Sequence, residues 1–305
     1  MKLQQKITLS ILSGLFVGFG VFLSINHEMM KKTTSFEIYE KLKSKSLGLT
    51  ESIETWITTK QQIGDALAKI APSIENRSPE NVRKYLNLVN NAAKIDASMV
   101  YYKGMTLRHT DPNWTPSAHE EEKNPPYQMM IANNFQPAIS PVFKSPINKV
   151  TDMFVIVTPF NGDSAATLVV ELKDVAEKVH KLKFEGGYAS LIGSNKKILF
   201  DANENWQGKT LSENVSELRW LEDEIYSKKS GLADFQLGGK EMVLVFDTVE
   251  ANGWKVIVTV DKDVAFAHLN AQTKKLLLIS LGFFILSILG IYILLKVQFK
   301  PLLSL

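Results

Sequence analysis

Residues 7–25 (ITLSILSGLFVGFGVFLSI) and 276–295 (LLLISLGFFILSILGIYILL) carry no charged side chain, and nothing else in the chain constrains its fold so strongly. At about 1.5 Å rise per residue, each is long enough as a helix to cross a hydrocarbon layer of roughly 30 Å. One charged side chain at mid-membrane would cost roughly 2.5–3.5 kcal/mol, so two charge-free runs of this length read as membrane spans. The first run is too long for the apolar core of a signal peptide, and SINHEMMKK offers no small-residue cleavage site, so it reads as an uncleaved anchor. Some 250 residues separate the runs, and a domain of that size is translocated largely regardless of the lysines on its flanks. The expected layout is a cytoplasmic N-terminus (1–6), a first span (7–25), an extracytoplasmic domain (26–275), a second span (276–295) and a cytoplasmic tail (296–305), all in the inner (plasma) membrane of a cell.

Composition narrows the function further. The 305 residues carry a net charge of only +3, with no clustering of Lys and Arg of the kind that binds nucleic acid. There is no cysteine, which rules out disulfides and thiolate metal sites. No Ser–His–Asp spacing, paired carboxylates or phosphate-cradling glycine loop is present, so no catalytic residue, cofactor or metal is expected. The run His119–Glu122 (HEEE) reads as a solvated loop, because three adjacent carboxylates cannot all point at one ion. Gly14 and Gly18 form a GxxxG that would let two membrane helices approach closely.

Between the spans the hydrophobic period changes twice. Phe36, Tyr39, Leu42, Ile53, Trp56, Ile63, Leu67 and Ile70 recur mostly at three- to four-residue steps and no proline intervenes before Pro72, which predicts one long amphipathic helix. A second helix starts at Ser78, an N-cap followed by Pro79. From Ile95 the period is two, giving strands joined by turns at Lys103-Gly104 and NGDS, with a long proline-rich connection from Pro112 to Asn134. After the helix DVAEKVHKL a second round follows: a hairpin, a helix closed by Gly231, three strands with turns at Gly238-Gly239 and Asn252-Gly253, and a last helix capped by Asp263. The predicted class is α+β: two PAS-like mixed modules stacked along one long N-terminal helix and flanked by two transmembrane helices. The helices fill 26–94, the membrane-distal module 95–180 and the membrane-proximal module 181–275.

This layout resembles the double Cache sensor domain of bacterial transmembrane receptors, above all methyl-accepting chemotaxis proteins. The stretches YASLIGSNKKILFDANENWQGKTLSE and ANGWKVIVTVDKDVAFAHL are similar to the family's first proximal hairpin and to its last strand and outgoing helix. KVQFKPLLSL resembles the start of a HAMP linker. The resemblance implies a small-molecule ligand in the distal module, a homodimer joined along the long helix, and cytoplasmic signalling proteins reached through an output domain after residue 305. The same outside domain occurs on histidine kinases and diguanylate cyclases, and a membrane-tethered binding protein is a third reading. Amino-acid-binding members carry R-x-W-Y, a later tyrosine and an aspartate on the last distal strand. Here NPPY supplies only Tyr127 of the first, Phe143 falls at the tyrosine and Glu171 at the aspartate.

Near the expected mouth of the distal module lie Arg108, His109, Lys103 and Lys144, with Tyr101, Tyr102 and Tyr127 to line a pocket. Cationic donors in a cleft suit a carboxylate, because charge-assisted hydrogen bonds orient it. The candidate ligand residues are therefore Tyr101, Arg108, His109, Tyr127, Phe143, Lys144 and Glu171, and the expected ligand is a small organic acid or an amino acid.

Overall fold

The computed structural model describes residues 3–105, 108–110, 125–145 and 149–299. It divides into two units. One comprises the residues to Leu42, Gln236–Met242 and those from Val260 onward; the other comprises Lys43–Phe235 and Val243–Thr259. The first helix runs unbroken from Leu3 to Ile70, 68 residues, and ends where Pro72 removes a backbone donor. The last helix, Ala267–Phe299, is likewise continuous. Each contains a window long and apolar enough to cross a membrane, with mean hydropathies of 1.9 and 2.6, and neither window is buried within the chain.

The larger unit is built on the remainder of the first helix, whose Leu49, Ile53, Ile57 and Leu67 are buried. Two antiparallel sheets follow. The distal sheet contains β1 (Ala97–Tyr101), β2 (Arg108–His109), β3 (Ala138–Ile139), β4 (Phe143–Lys144), β5 (Asp152–Phe160) and β6 (Ser164–Glu171). Its order is β2-β1-β6-β5-β3, with β4 also paired to β5. The proximal sheet contains β7 (Gly187–Ile192), β8 (Ile198–Phe200), β9 (Gly231–Leu237), β10 (Lys240–Val249) and β11 (Trp254–Asp261), in the order β8-β7-β11-β10-β9. The strand pairings of the distal sheet are antiparallel among the described residues, and β2 and β3 stand at opposite ends of the strand order, with the Pro125–Ala132 helix in the connection between them.

Aromatic rings join the pieces. Phe154, fully buried on β5, lies 5.9 Å from Trp56 of the first helix and meets Trp254 of β11 edge-on at 5.5 Å. Polar ties accompany it. Trp56 Nε1 donates to Asp174 (3.3 Å), Lys178 Nζ donates to Ser52 (2.8 Å), and both carboxylate oxygens of Glu54 accept from the Ala251 N–H (3.1 and 3.2 Å). Lys60 Nζ donates to the carbonyl of Lys94, the left-handed residue that ends the Pro79–Ala93 helix, where orphan carbonyls favour a cation.

Local rules decided most elements, and tertiary packing overrode some. Ser78 caps the second helix, its hydroxyl accepting from the Asn81 N–H. Gly231 does not close a helix: the Arg219–Ser227 helix ends on extended Lys228, and Gly231 opens β9. A side chain there would enter the ring of Phe246, 2.6 Å from the nearest ring carbon, so the glycine serves close packing. The last cap is Asp261, which accepts from the Asp263 N–H, so the cap lies two residues before the expected one. Within the proline-rich connection Pro125–Ala132 is helical, because proline fits the first turn of a helix, where its missing N–H is not needed.

Gly64 marks a close approach of the first helix to the distal sheet. A Cβ there would lie 2.8 Å from Thr158 Oγ1, a branched side chain with little room to move. Gly64→Ala is expected to destabilise the chain by about 1–3 kcal/mol, outweighing the helix propensity gained. Adding Thr158→Ala should recover most of the loss. Urea unfolding of the full chain and both variants in detergent measures this; equal stability of the single and double variants would contradict the packing assignment.

Candidate ligand-binding face of the distal sheet

Strand alternation gives the distal sheet two unlike faces. Side chains at even positions turn toward the helices: Phe154 meets Trp56, Ile156 and Leu168 lie against Gly64, Ser98 Oγ donates to Asn90 (2.7 Å), and Tyr102 OH donates to the Ala71 carbonyl (2.8 Å). Odd positions build a separate core on the opposite face. Met99, Met153, Val155, Val157, Ala165 and Val169 are buried there beneath Met130 of the Pro125–Ala132 helix, with Ala97, Tyr101, Met129, Phe135 and Phe143 packed around them.

The register fixes positions across this face, since directly opposed residues share it. One row reads His109–Met99–Thr167–Val157–Ala138, and another reads Glu171–Met153–Phe143. After the Pro125–Ala132 helix, Asn134 and Phe135 adopt positive φ (49° and 55°), and the Phe135 N–H bonds to the Met130 carbonyl at 2.9 Å. That turn brings the Phe135 ring to 6.3 Å from Tyr101 in a stacked arrangement. Thr167, in the middle of the first row, is 1% exposed and its hydroxyl has no hydrogen-bond partner among the described residues. A buried unpaired hydroxyl costs roughly 1–3 kcal/mol of desolvation.

At the end of β6, the Glu171 N–H bonds to Asp96 at 3.0 Å. Burial first, and next the negative charge of Asp96, push the Glu171 carboxyl above its ordinary value of 4.5, partly offset by Lys173.

The candidate residues thus separate. Tyr101, His109, Phe143 and Glu171 belong to the odd face, and Tyr127 lies on the helix above it. Arg108 pairs with Val100 in register and so takes the even face, where its Nε donates to the Arg77 carbonyl (3.4 Å). Tyr102 is on that face too, under the Arg77 guanidinium at 4.4 Å. Lys144 is held by Asp152 (2.8 Å) and the Val150 carbonyl (3.0 Å), and Lys103 by Asp163 (2.8 Å). The run His119–Glu122 lies outside the described residues.

Thr167, the methionines and Phe135 were missed by reasoning from sequence. Thr167 was legible: alternation through AATLVVE puts it on the face of Val169 and Glu171. Phe135 was not, because its placement depends on a positive-φ turn at two residues other than glycine.

A family model for the Cache domain matches residues 26–269, and the chain belongs to that family, in its double Cache form. The fold is that of solved ligand-binding domains of chemoreceptors. That of Mlp24 with asparagine superposes with a TM-score of 0.62 at 18% identity, covering 79% of this chain and 99% of that one. The domain of the Pseudomonas aeruginosa amino-acid chemoreceptor PctB with L-Gln gives 0.60 at 18% identity, covering 79% and 98%. That of the Pseudomonas fluorescens chemoreceptor CtaA with L-isoleucine gives 0.62 at 16%, covering 78% and 98%. Among curated proteins, no sequence matches the chain.

Thr167→Val removes the unpaired hydroxyl and keeps its shape. The variant is expected to melt about 2–4 °C higher than the parent chain without ligand, corresponding to about 1 kcal/mol. A lower melting temperature by calorimetry would show that the hydroxyl is satisfied in solution.

Proposed function

We propose that the chain is the input half of a transmembrane chemoreceptor that binds a small amine-bearing compound, an amino acid in the first instance, on the odd face of its distal sheet. The carrying observation is Glu171, a carboxylate set beside Met153 and Phe143 on a face that is mostly apolar and aromatic, with Thr167 and His109 in a neighbouring row. A partly desolvated carboxylate favours a cation, and aromatic rings add to the attraction for an ammonium group. The cations that would have favoured a simple organic acid are committed elsewhere: Arg108 to the Arg77 carbonyl, Lys144 to Asp152 and Lys103 to Asp163. Tyr101 and His109 would line the remainder of the site, Tyr127 on the helix above completes the candidate set, and Thr167 would give its hydroxyl to a ligand oxygen. The similar domains of Mlp24, PctB and CtaA were solved with asparagine, L-Gln and L-isoleucine, each bearing an amine, and that of PctC with GABA, which does too.

In this reading the sensor lies outside the inner membrane, both termini lie inside, and the last helix carries the signal to a cytoplasmic output domain. Two copies work together along the first helix, on which Phe36 and Leu47 are 65% and 46% exposed. Ligand binding biases two pre-existing arrangements; reversing a 1:99 balance would need about 5.5 kcal/mol of differential affinity.

The test is thermal shift and calorimetric titration of the full chain in nanodiscs with amino acids, GABA, simple amines and dicarboxylates. At 100 times its dissociation constant a ligand adds about 2.7 kcal/mol of stability. Amine-bearing compounds should shift the melt and dicarboxylates should not. Glu171→Gln should weaken binding at least tenfold, and Arg108→Ala should leave it unchanged. Binding to carboxylates that is lost in Arg108→Ala would overturn the proposal.

The pH dependence has a definite sign. The Glu171 carboxyl titrates above 4.5, so it becomes neutral as pH falls through that raised value, and affinity for an ammonium ligand should fall with it. Without ligand the raised pKa works against the fold: the folded state holds its proton more tightly than the unfolded one, so this contribution to stability declines as pH rises above 4.5. Affinity that is flat through the titration of Glu171 would remove it from the site.

A further inference from the structure

Away from the distal sheet, the unit that holds the two membrane-type helices has an open groove, a cavity of about 360 Å³. It is lined by Leu23, Ser24, His27 and Met30 of the first helix and by Thr273, Leu276 and Leu277 of the last. The lining residues fall at the sensor-side ends of the charge-free runs 7–25 and 276–295, the level where hydrocarbon gives way to lipid headgroups. The cavity is within the size range of small-molecule sites.

Its walls are Leu23, Met30, Leu276 and Leu277, and three polar groups interrupt them. Ser24 already donates to the Gly20 carbonyl (2.9 Å), which leaves its oxygen only as an acceptor. The Thr273 hydroxyl is buried and has no hydrogen-bond partner among the described residues. His27 contributes an imidazole, which offers both a donor and an acceptor when neutral.

Three occupants can be compared by what each leaves unsatisfied. A lipid acyl chain would fill the volume but leave the Thr273 hydroxyl orphaned. Water would satisfy that hydroxyl and wet four apolar walls. A span from a second copy, drawn from the same apolar runs, would bring mainly Leu, Phe, Ile and Gly against the polar groups. A molecule with an apolar body and a hydroxyl head satisfies both parts by itself, whereas a second span would have to bring one of its own few hydroxyls, such as Ser24 or Ser280, to the same level.

We propose that this cavity is a second binding site of the receptor, for a hydroxyl-bearing amphiphile such as a medium-chain alcohol, with its head between His27 and Thr273 and its body along Leu23, Met30, Leu276 and Leu277. The site joins the first helix to the last at the membrane edge. Its occupant therefore acts on the relative position of the two spans without involving the distal sheet.

The test is photolabelling of the full chain in nanodiscs with a diazirine analogue of octanol, mapped by mass spectrometry. Labelling should be saturable, concentrated on Leu23–Met30 and Thr273–Leu277, and suppressed by excess 1-octanol but not by octane. Thr273→Val and His27→Phe should each reduce it at least threefold, and Ser24→Leu, which fills the cavity, should abolish it. Circular dichroism of each variant establishes that the helices are intact. Three results would overturn the proposal: labelling spread along both spans, competition by octane as strong as by octanol (a lipid-filled cavity), or efficient Ser24→Cys cross-linking between copies with loss of labelling (a cavity filled by a second chain). Since none of these variants touches the distal sheet, failure here leaves the response to amine-bearing ligands intact, and failure there leaves this labelling intact.

Discussion

Both sheets depend on burial against one helix. From Leu49 to Leu67 the first helix supplies an apolar stripe that neither sheet could provide for itself, and Phe154 makes the joint by contacting Trp56 on that helix and Trp254 on the other sheet. A helix of this length would expose its stripe if it stood alone, so most of its stability is tertiary. Burying one large aliphatic side chain contributes roughly 1.5–3 kcal/mol, and the stripe holds several. The glycine at 64 sets how close the distal sheet can come, and the Lys60 and Glu54 contacts fix the helix lengthwise.

That arrangement divides the work of the distal sheet between its faces. The even face is given over to structure: aromatic packing, Tyr102 on the Ala71 carbonyl, Ser98 on Asn90. The odd face is the one proposed for recognition; among the described residues, the Pro125–Ala132 helix and the turn after it lie over its centre. Soft methionine side chains, and a threonine hydroxyl without a hydrogen-bond partner among the described residues, are features of a face that can adapt to a guest. The proximal sheet makes the opposite choice. Most of its polar interior is paired, Asn252 Nδ2 apart: Lys255 donates to the Lys228 carbonyl and to Thr248, Glu222 accepts from the backbone and hydroxyl of Ser212, and Ser190 donates to Asp201. At its edge Lys240 pairs with Asp261 at 2.9 Å and Lys262 with Glu241, which anchors the start of the outgoing helix to the sheet. Lys240 in turn holds the Asp261 carboxyl below its ordinary range.

The sequence by itself determined the two charge-free spans, the single long helix, the two mixed modules and the family, because each rests on periodicity or length that no tertiary contact is needed to read. Ser78 and the turns at Gly238-Gly239 and Asn252-Gly253 belong with these, since capping and positive φ are local chemistry. The candidate site was legible only in part. Glu171 and Phe143 came from a resemblance, and Thr167 was available from strand parity. What only the tertiary structure decided is which face each side chain takes and which charges are already spent. Arg108 and His109 are adjacent in sequence, yet a strand turns them to opposite faces, and the two-residue strand β2 is too short for its alternation to be read. Lys144 and Lys103 look like free cations until Asp152 and Asp163 are brought beside them. Gly231 likewise reads as a helix cap until Phe246, fifteen residues on, is laid across it. Local propensity is a property of a segment, whereas facing and pairing depend on residues distant in the chain, and those meet only after the sheets have closed on the helix.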